Sequence, residues 1–198
     1  MSLLLTSRPT IVDRLIPRSL VADIALVAAG TGLTAAASQL VITTSPVPVT
    51  GQTFAVLLVG AALGRNRAVI SMFLYMLLGA VGVGVFSEGK AGLFSAETGQ
   101  LTGTLGYIVG FIFAAALVGY LAERGWSKNI FGVIGSFVAG NMVIYSLGLP
   151  WLQFTYKIDW ATTLSYGFTP FILWDLAKLA LAVAVLPAAW LAVKKIKG

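Results

Sequence analysis

Thr169-Pro170-Phe171-Ile172-Leu173-Trp174-Asp175-Leu176-Ala177-Lys178, which runs on in apolar residues to Leu191, places one acid and one base in an otherwise uncharged hydrophobic run. Asp175 and Lys178 are three residues apart, so a helix puts them on one face. If that helix crosses a bilayer, each charge costs roughly 2.5–3.5 kcal/mol near the centre. Such residues face a bundle interior or a wet cavity, and they pair or bind something. Two readings follow. One is a mutual salt bridge that only holds the bundle together. The other is a ligand site offering an acceptor and a donor side by side.

Composition supports the bilayer. Of 198 residues, 58% are hydrophobic and only 10% charged, against about 25% charged in soluble domains. A soluble chain of this size could not hide that much apolar surface, so the solvent is lipid and the length predicts one membrane domain over residues 1–198. The net charge of +6 is then a matter of topology before it is any hint of nucleic acid. There is no Cys and no His, which removes thiolate and imidazole nucleophiles, bases and metal ligands. No Walker-type glycine loop is present, so the chain is not expected to hydrolyse ATP by itself.

Six apolar runs are long enough, or nearly so, to span: about 19–42, 51–63, 68–86, 102–121, 130–149 and 168–193. Residues 1–18 precede them as a polar segment. A signal peptide is the rival reading of the first run, but its apolar part is longer than the usual 7–15 residues and starts late. The second run is short and follows Ser45-Pro46-Val47-Pro48-Val49-Thr50-Gly51-Gln52, where alternate prolines forbid a regular helix. Non-helical backbone at membrane depth is tolerated only when buried in protein or lining a cavity, and an interrupted short span points to a transporter site; an ordinary outer turn is the alternative. Gly64-Arg65-Asn66-Arg67 reads as a tight charged turn. Pro150-Trp151 reads as the end of the fifth run, followed by a loop to Tyr166.

Six spans put both termini on one side, and the basic residues test this. Arg8, Arg14, Arg18, Arg65, Arg67, Arg124, Lys128, Lys194, Lys195 and Lys197 fall on one side, and only Lys90 and Lys157 on the other. That bias makes both ends cytoplasmic. Trp151 and Trp160 fit an outer interfacial belt, and Trp126 and Trp190 an inner one. Small residues at four-residue spacing (Gly60 and Gly64; Gly106 and Gly110; Gly132, Ser136 and Gly140) allow close helix approach within the molecule. The Ala25/Ala29 stripe of the first span is open to a second reading, contact with a separate membrane protein. Asn141 is the other polar residue deep in a span; it serves either a helix-to-helix hydrogen bond or a ligand cavity.

Pro46-Val47-Pro48-Val49-Thr50-Gly51-Gln52-Thr53-Phe54-Ala55-Val56-Leu57-Leu58, followed by Gly60 and Gly64, resembles the first-loop signature of the BioY biotin transporters, which are substrate-binding (S) components of energy-coupling factor (ECF) transporters. Three further stretches are similar: Gly106-Tyr107-Ile108-Val109-Gly110-Phe111; Gly140-Asn141 with Tyr145, Gly148 and Trp151-Leu152; and Pro170-Phe171 with Asp175 and Lys178. The likeness covers nearly the whole chain from Ser19. It departs at Thr102-Gly103-Thr104, where the family usually has Gly-Pro-Thr, and in a longer preceding loop, so contacts from Glu88 to Gln100 stay open.

The resemblance implies an all-α six-helix bundle with cytoplasmic ends, set in the cell membrane, and a pocket opening outward. It implies biotin as the ligand, with Asp175 and Lys178 near its ureido ring and Asn141, Tyr107, Gln52, Thr50 and Trp174 as further ligand-binding residues. A ureido group has one carbonyl acceptor and two N–H donors, which Lys178 and Asp175 complement. Trp174, Phe54 or Tyr107 suit the apolar rings, and Lys90 or Lys157 the carboxylate. Pro46, Pro48 and Gly51 form the expected gating loop. Ala25 and Ala29 resemble the motif by which S components dock a membrane coupling protein. That protein and two ATPase subunits are the implied partners; ATP is used only by them, and no cofactor is expected in this chain. An autonomous ion-coupled transporter is the alternative.

Overall fold

The computed structural model describes residues 10–42, 46–95 and 99–197, with side chains as far as Lys195. The expectations on Arg8 and Ser45, on Glu97 within the outer loop, and on the side chain of Lys197 lie outside the described residues. A short helix α1 (Ile11–Leu15) precedes α2 (Leu20–Ser38). A two-residue antiparallel ribbon follows, β1 (Val41–Ile42) with β2 (Val49–Thr50), Val41 opposite Thr50. Then come α3 (Gln52–Leu63), α4 (Arg65–Ala80), α5 (Leu105–Glu123) and α6 (Ile130–Tyr156). The chain closes with α7 (Trp160–Gly167), a 3-10 turn over Thr169–Phe171, and α8 (Ile172–Lys197).

Among the described residues, α2, α5, α6 and the α7–α8 segment are long and apolar enough to cross a membrane; α3 is apolar but shorter. The α5 helix is apolar all round and is the most enclosed of the four, packed against α3, α4 and α6, as such a helix must be. The exterior is apolar too: Val21, Ile24, Phe73, Phe113, Phe131, Phe154, Leu173 and Leu191 are exposed. That surface suits lipid, not water.

Small residues set the helix spacing. A Cβ on Gly110 would lie 3.0 Å from the Ile144 backbone, and one on Gly60 would lie 3.0 Å from the Ala115 carbonyl oxygen. These are the intramolecular contacts expected of the glycine spacing. Ala25 and Ala29, in contrast, stay exposed on α2.

Contacts gather the basic segments at one end of the bundle. Arg67, in the first turn of α4, meets Asp13 of α1 and Asp23 of α2. The Arg65 amide donates to Glu123 at the end of α5 (2.7 Å). Trp190 of α8 donates to Ser127 in the α5–α6 turn (3.0 Å).

Several expected boundaries move. The first run ends as a helix at Ser38, not 42, because Val41–Ile42 pairs with the proline loop instead. The charged turn at 64–67 reduces to Gly64, whose φ of 81° only glycine adopts readily. Arg65 and Arg67 already belong to α4, and Arg67 is buried instead of facing water. Pro150 does not end α6; helices in membrane bundles tolerate proline, and this one continues to Tyr156, where Lys157 turns left-handed (φ 52°). The expected loop from 151 to 166 is therefore largely helical, with Asp159 capping α7 through the Thr162 amide (3.0 Å).

Candidate ligand-binding site

Asp175 and Lys178 lie in the first turns of α8, just after the 3-10 turn around Pro170. Lys178 Nζ donates to Asp175 Oδ1 at 3.3 Å and to Thr53 Oγ1 of α3 at 2.8 Å. On the other side, the Tyr145 hydroxyl of α6 donates to Asp175 Oδ2. Three helices therefore converge on one ion pair, whose side chains are 16% and 13% exposed for Lys178 and Asp175.

The pair is not saturated by these bonds. An ammonium has three donors and a carboxylate about four lone-pair positions. Lys178 uses one donor on Asp175 and one on Thr53. Asp175 accepts one bond from Lys178 and one from Tyr145. Among the described residues, one donor and about two acceptor positions are left over. That remainder matches a group with one acceptor and two N–H donors.

Beside the pair is a cavity of about 40 Å³ whose lining includes Val47, Pro48, Thr50, Gln52, Thr53, Phe86, Tyr107 and Phe171. Thr53 belongs to both the pair and the cavity. Tyr145 packs edge-on against two further lining residues, Tyr107 (centroids 6.4 Å apart) and Phe171 (6.3 Å), and against Phe168 (5.0 Å). The hollow has room for a few waters, whereas sites for drug-sized ligands occupy roughly 300–1,000 Å³. The described arrangement is thus closed.

Two segments cover the cavity. In the proline loop, Val47 and Val49 are buried and Pro48 lines the cavity. The loop is fastened at its far end: the Gly51 amide donates to the Leu40 carbonyl (3.0 Å), and a Cβ on Gly51 would come within 2.8 Å of the Ala37 carbonyl oxygen. The second segment carries Phe86, stacked edge-on against Tyr75 (5.5 Å). The end of α2 holds it, with Ser38 donating to the Val85 carbonyl (2.8 Å) and Gln39 to that of Phe86 (2.9 Å).

Of the expected residues, Thr50, Gln52 and Tyr107 surround the cavity with Pro48; Asp175 and Lys178 are not among its lining, and Lys178 reaches it only through its bond to Thr53. Thr50 donates to Gln52 Oε1 (3.0 Å), Gln52 donates to the Tyr75 hydroxyl, and Tyr107 donates to the Gly167 carbonyl (3.1 Å). Asn141 sits one helical turn before Tyr145, and its buried Oδ1 has no hydrogen-bond partner among the described residues. Neither Asn141 nor Trp174 lines the cavity; Trp174 is 41% exposed on the outer surface. Phe54 packs against Phe137. Pro46 does not line the cavity either, and Lys90 pairs with Glu88 at the surface while Lys157 is exposed. Sequence reasoning missed the roles of Thr53, Tyr145 and Phe86. Tyr145 was legible as the i+4 neighbour of Asn141; Phe86, in an irregular segment, carried no periodic signal.

A family model described as the BioY family matches residues 8–195. The biotin transporter BioY2 of Lactococcus lactis subsp. cremoris is 34% identical over 162 residues, covering 80% of this chain and 85% of the relative. The biotin transporter BioY of Thermotoga maritima is 38% identical over 142 residues, covering 71% of this chain and 79% of that one. Among solved structures, the S-component for biotin from an ECF-type ABC transporter has a similar fold, with a TM-score of 0.72 and 23% identity over 85% of this chain and 90% of that one. These relatives are transport proteins, not enzymes. Family match, relatives and fold agree: the chain belongs to the BioY family.

Proposed function

We propose that this chain binds biotin and serves as the substrate-specificity subunit of an ECF transporter for its uptake across the cell membrane. The observation that carries this reading is the Asp175–Lys178 pair, linked to the cavity under the proline loop through Thr53, with one donor and about two acceptor positions unused among the described residues. A ureido ring complements that remainder atom for atom, and a dry site that meets every polar atom rejects analogues lacking one. The names of the relatives support the same ligand.

In this reading Asp175 accepts from the ureido N–H groups and Lys178 donates to the carbonyl. Thr50, Gln52 and Tyr107 complete the binding residues, while Asn141 and Trp174 lie outside the cavity lining. Pro46, Pro48 and Gly51 belong to the loop that lifts to admit the ligand. The helices α2, α3, α4, α5, α6 and α8 cross the bilayer, with both termini cytoplasmic at the basic end. A membrane coupling protein docks on Ala25 and Ala29, and ATPase subunits supply the energy.

The direct test is mass spectrometry of small molecules co-purifying with the detergent-solubilised protein, followed by titration of the stripped protein with biotin. Biotin should be the bound species and should saturate one site. A different co-purifying molecule, together with no biotin binding, would overturn the assignment.

A further inference from the structure

Asp175 is held from a side that the ligand argument does not use. Its carboxylate torsion is of the broad, roughly two-fold kind that settles into no sharp rotamer unaided. Left with Lys178 alone, both oxygens could swing onto the ammonium and satisfy the pair internally. The Tyr145 hydroxyl prevents this by occupying Oδ2, while Lys178 reaches only Oδ1. The donor is itself immobile. The Tyr145 ring is wedged edge-on between Tyr107, Phe168 and Phe171, drawn from α5, the α7–α8 connection and the 3-10 turn. Tyr107 is pinned in turn by its bond to the Gly167 carbonyl. A ring with three aromatic walls presents one hydroxyl in one place, which is how a binding group is pre-organised.

We infer that Tyr145 is a positioning residue for ligand recognition: it fixes the plane of the Asp175 carboxylate so that its remaining lone pairs stay available to a ligand instead of collapsing onto Lys178. The inference rests on the reading of Asp175 as the acceptor for ureido N–H groups. It adds a residue that touches the ligand only through Asp175 and so governs selectivity for N–H donors, not general affinity for apolar rings.

The test uses the full-length protein in detergent and two ligands, biotin and a derivative methylated on a ureido nitrogen, which offers one N–H fewer. Tyr145→Phe keeps the ring and its three neighbours and removes only the hydroxyl. Biotin binding should weaken about tenfold or more, the scale of losing a hydrogen bond to a charged group. The methylated ligand should lose much less, so discrimination between the two shrinks. In an Asp175→Asn background the same substitution should add little, since residues acting through one another are not additive. Replacing Tyr145 by p-aminophenylalanine, which restores an N–H donor at the same point, should recover discrimination; it also serves if the Phe variant folds poorly.

Equal losses for both ligands, an undiminished effect in the Asp175→Asn background, or unchanged binding would each overturn the inference. Absence of biotin binding by the wild-type protein would instead overturn the proposed function. The two failures are therefore distinguishable.

Discussion

Arg67 is among the largest side chains fully buried in the described structure, held by Asp13 at 2.8 Å and Asp23 at 2.7 Å, with all three side chains at most 2% exposed. Removing one member of such a cluster leaves the others charged and dry. Arg67→Ala should therefore destabilise the protein by about 3–5 kcal/mol, read as a lower melting temperature in detergent. Asp13 gives the cluster a pH signature. Burial alone would raise its carboxyl, but the Thr10 amide, Arg67 and Arg18 outweigh burial and hold it at about 2, against an ordinary 3.8. Its stabilisation is thus fully present above about pH 4 and is lost as pH falls toward 2. Asp13→Asn should remove that component of acid sensitivity, and an unchanged acid transition would show that the helix α1 is not anchored this way. Asp175 and Lys178 were legible in the sequence because charges in an apolar run are costly. Asp23, inside the first run, carries the same cost but was not singled out; the structure pairs it with Arg67. Arg67 lies three residues after Gly64 in what reads as a surface turn, so nothing marked it as a buried partner.

Among the elements, the prolines and the apolar run that follows them located the helix α3 well; it begins at Gln52 and ends at Leu63, one residue from the expected start. What sequence could not supply was how the proline loop closes. That depends on pairing between Val41–Ile42 and Val49–Thr50, four residues without a strand pattern of their own. Nor does proline mark a helix end in a chain whose neighbours re-satisfy the backbone, as α6 shows at Pro150. The helix that follows the proline loop also touches the ion pair, since Thr53 lies in the first turn of α3 and accepts from Lys178. Gly51→Ala tests the hinge. Its Cβ meets the Ala37 carbonyl oxygen at 2.8 Å, so the loop must shift off α2. Overpacking of this kind costs roughly 1–3 kcal/mol, so biotin should dissociate about tenfold faster from the variant. An unaltered off-rate would make the loop a passive turn.

For the whole molecule, composition alone indicated a lipid-solvated helical bundle, and the apolar exterior agrees. The gathering of basic segments was legible as charge bias, and contacts such as Arg65 to Glu123 and Trp190 to Ser127 bring those segments together. The proposed partner surface belongs to the whole molecule too. Ala25 and Ala29 are exposed while the glycine spacings of the other helices are consumed internally. Ala25→Leu should leave biotin affinity unchanged and sharply reduce ATP-driven uptake in cells carrying the complete transporter; undiminished uptake would remove the docking assignment. Whether the Asp175–Lys178 pair receives a ureido group is decided by calorimetric biotin titration of purified Asp175→Asn and Lys178→Ala variants whose folding is verified by melting temperature. Each should bind more weakly by about 3–5 kcal/mol, because each strands its partner at the site. Wild-type affinity in either folded variant would contradict the account and leave the pair a structural salt bridge.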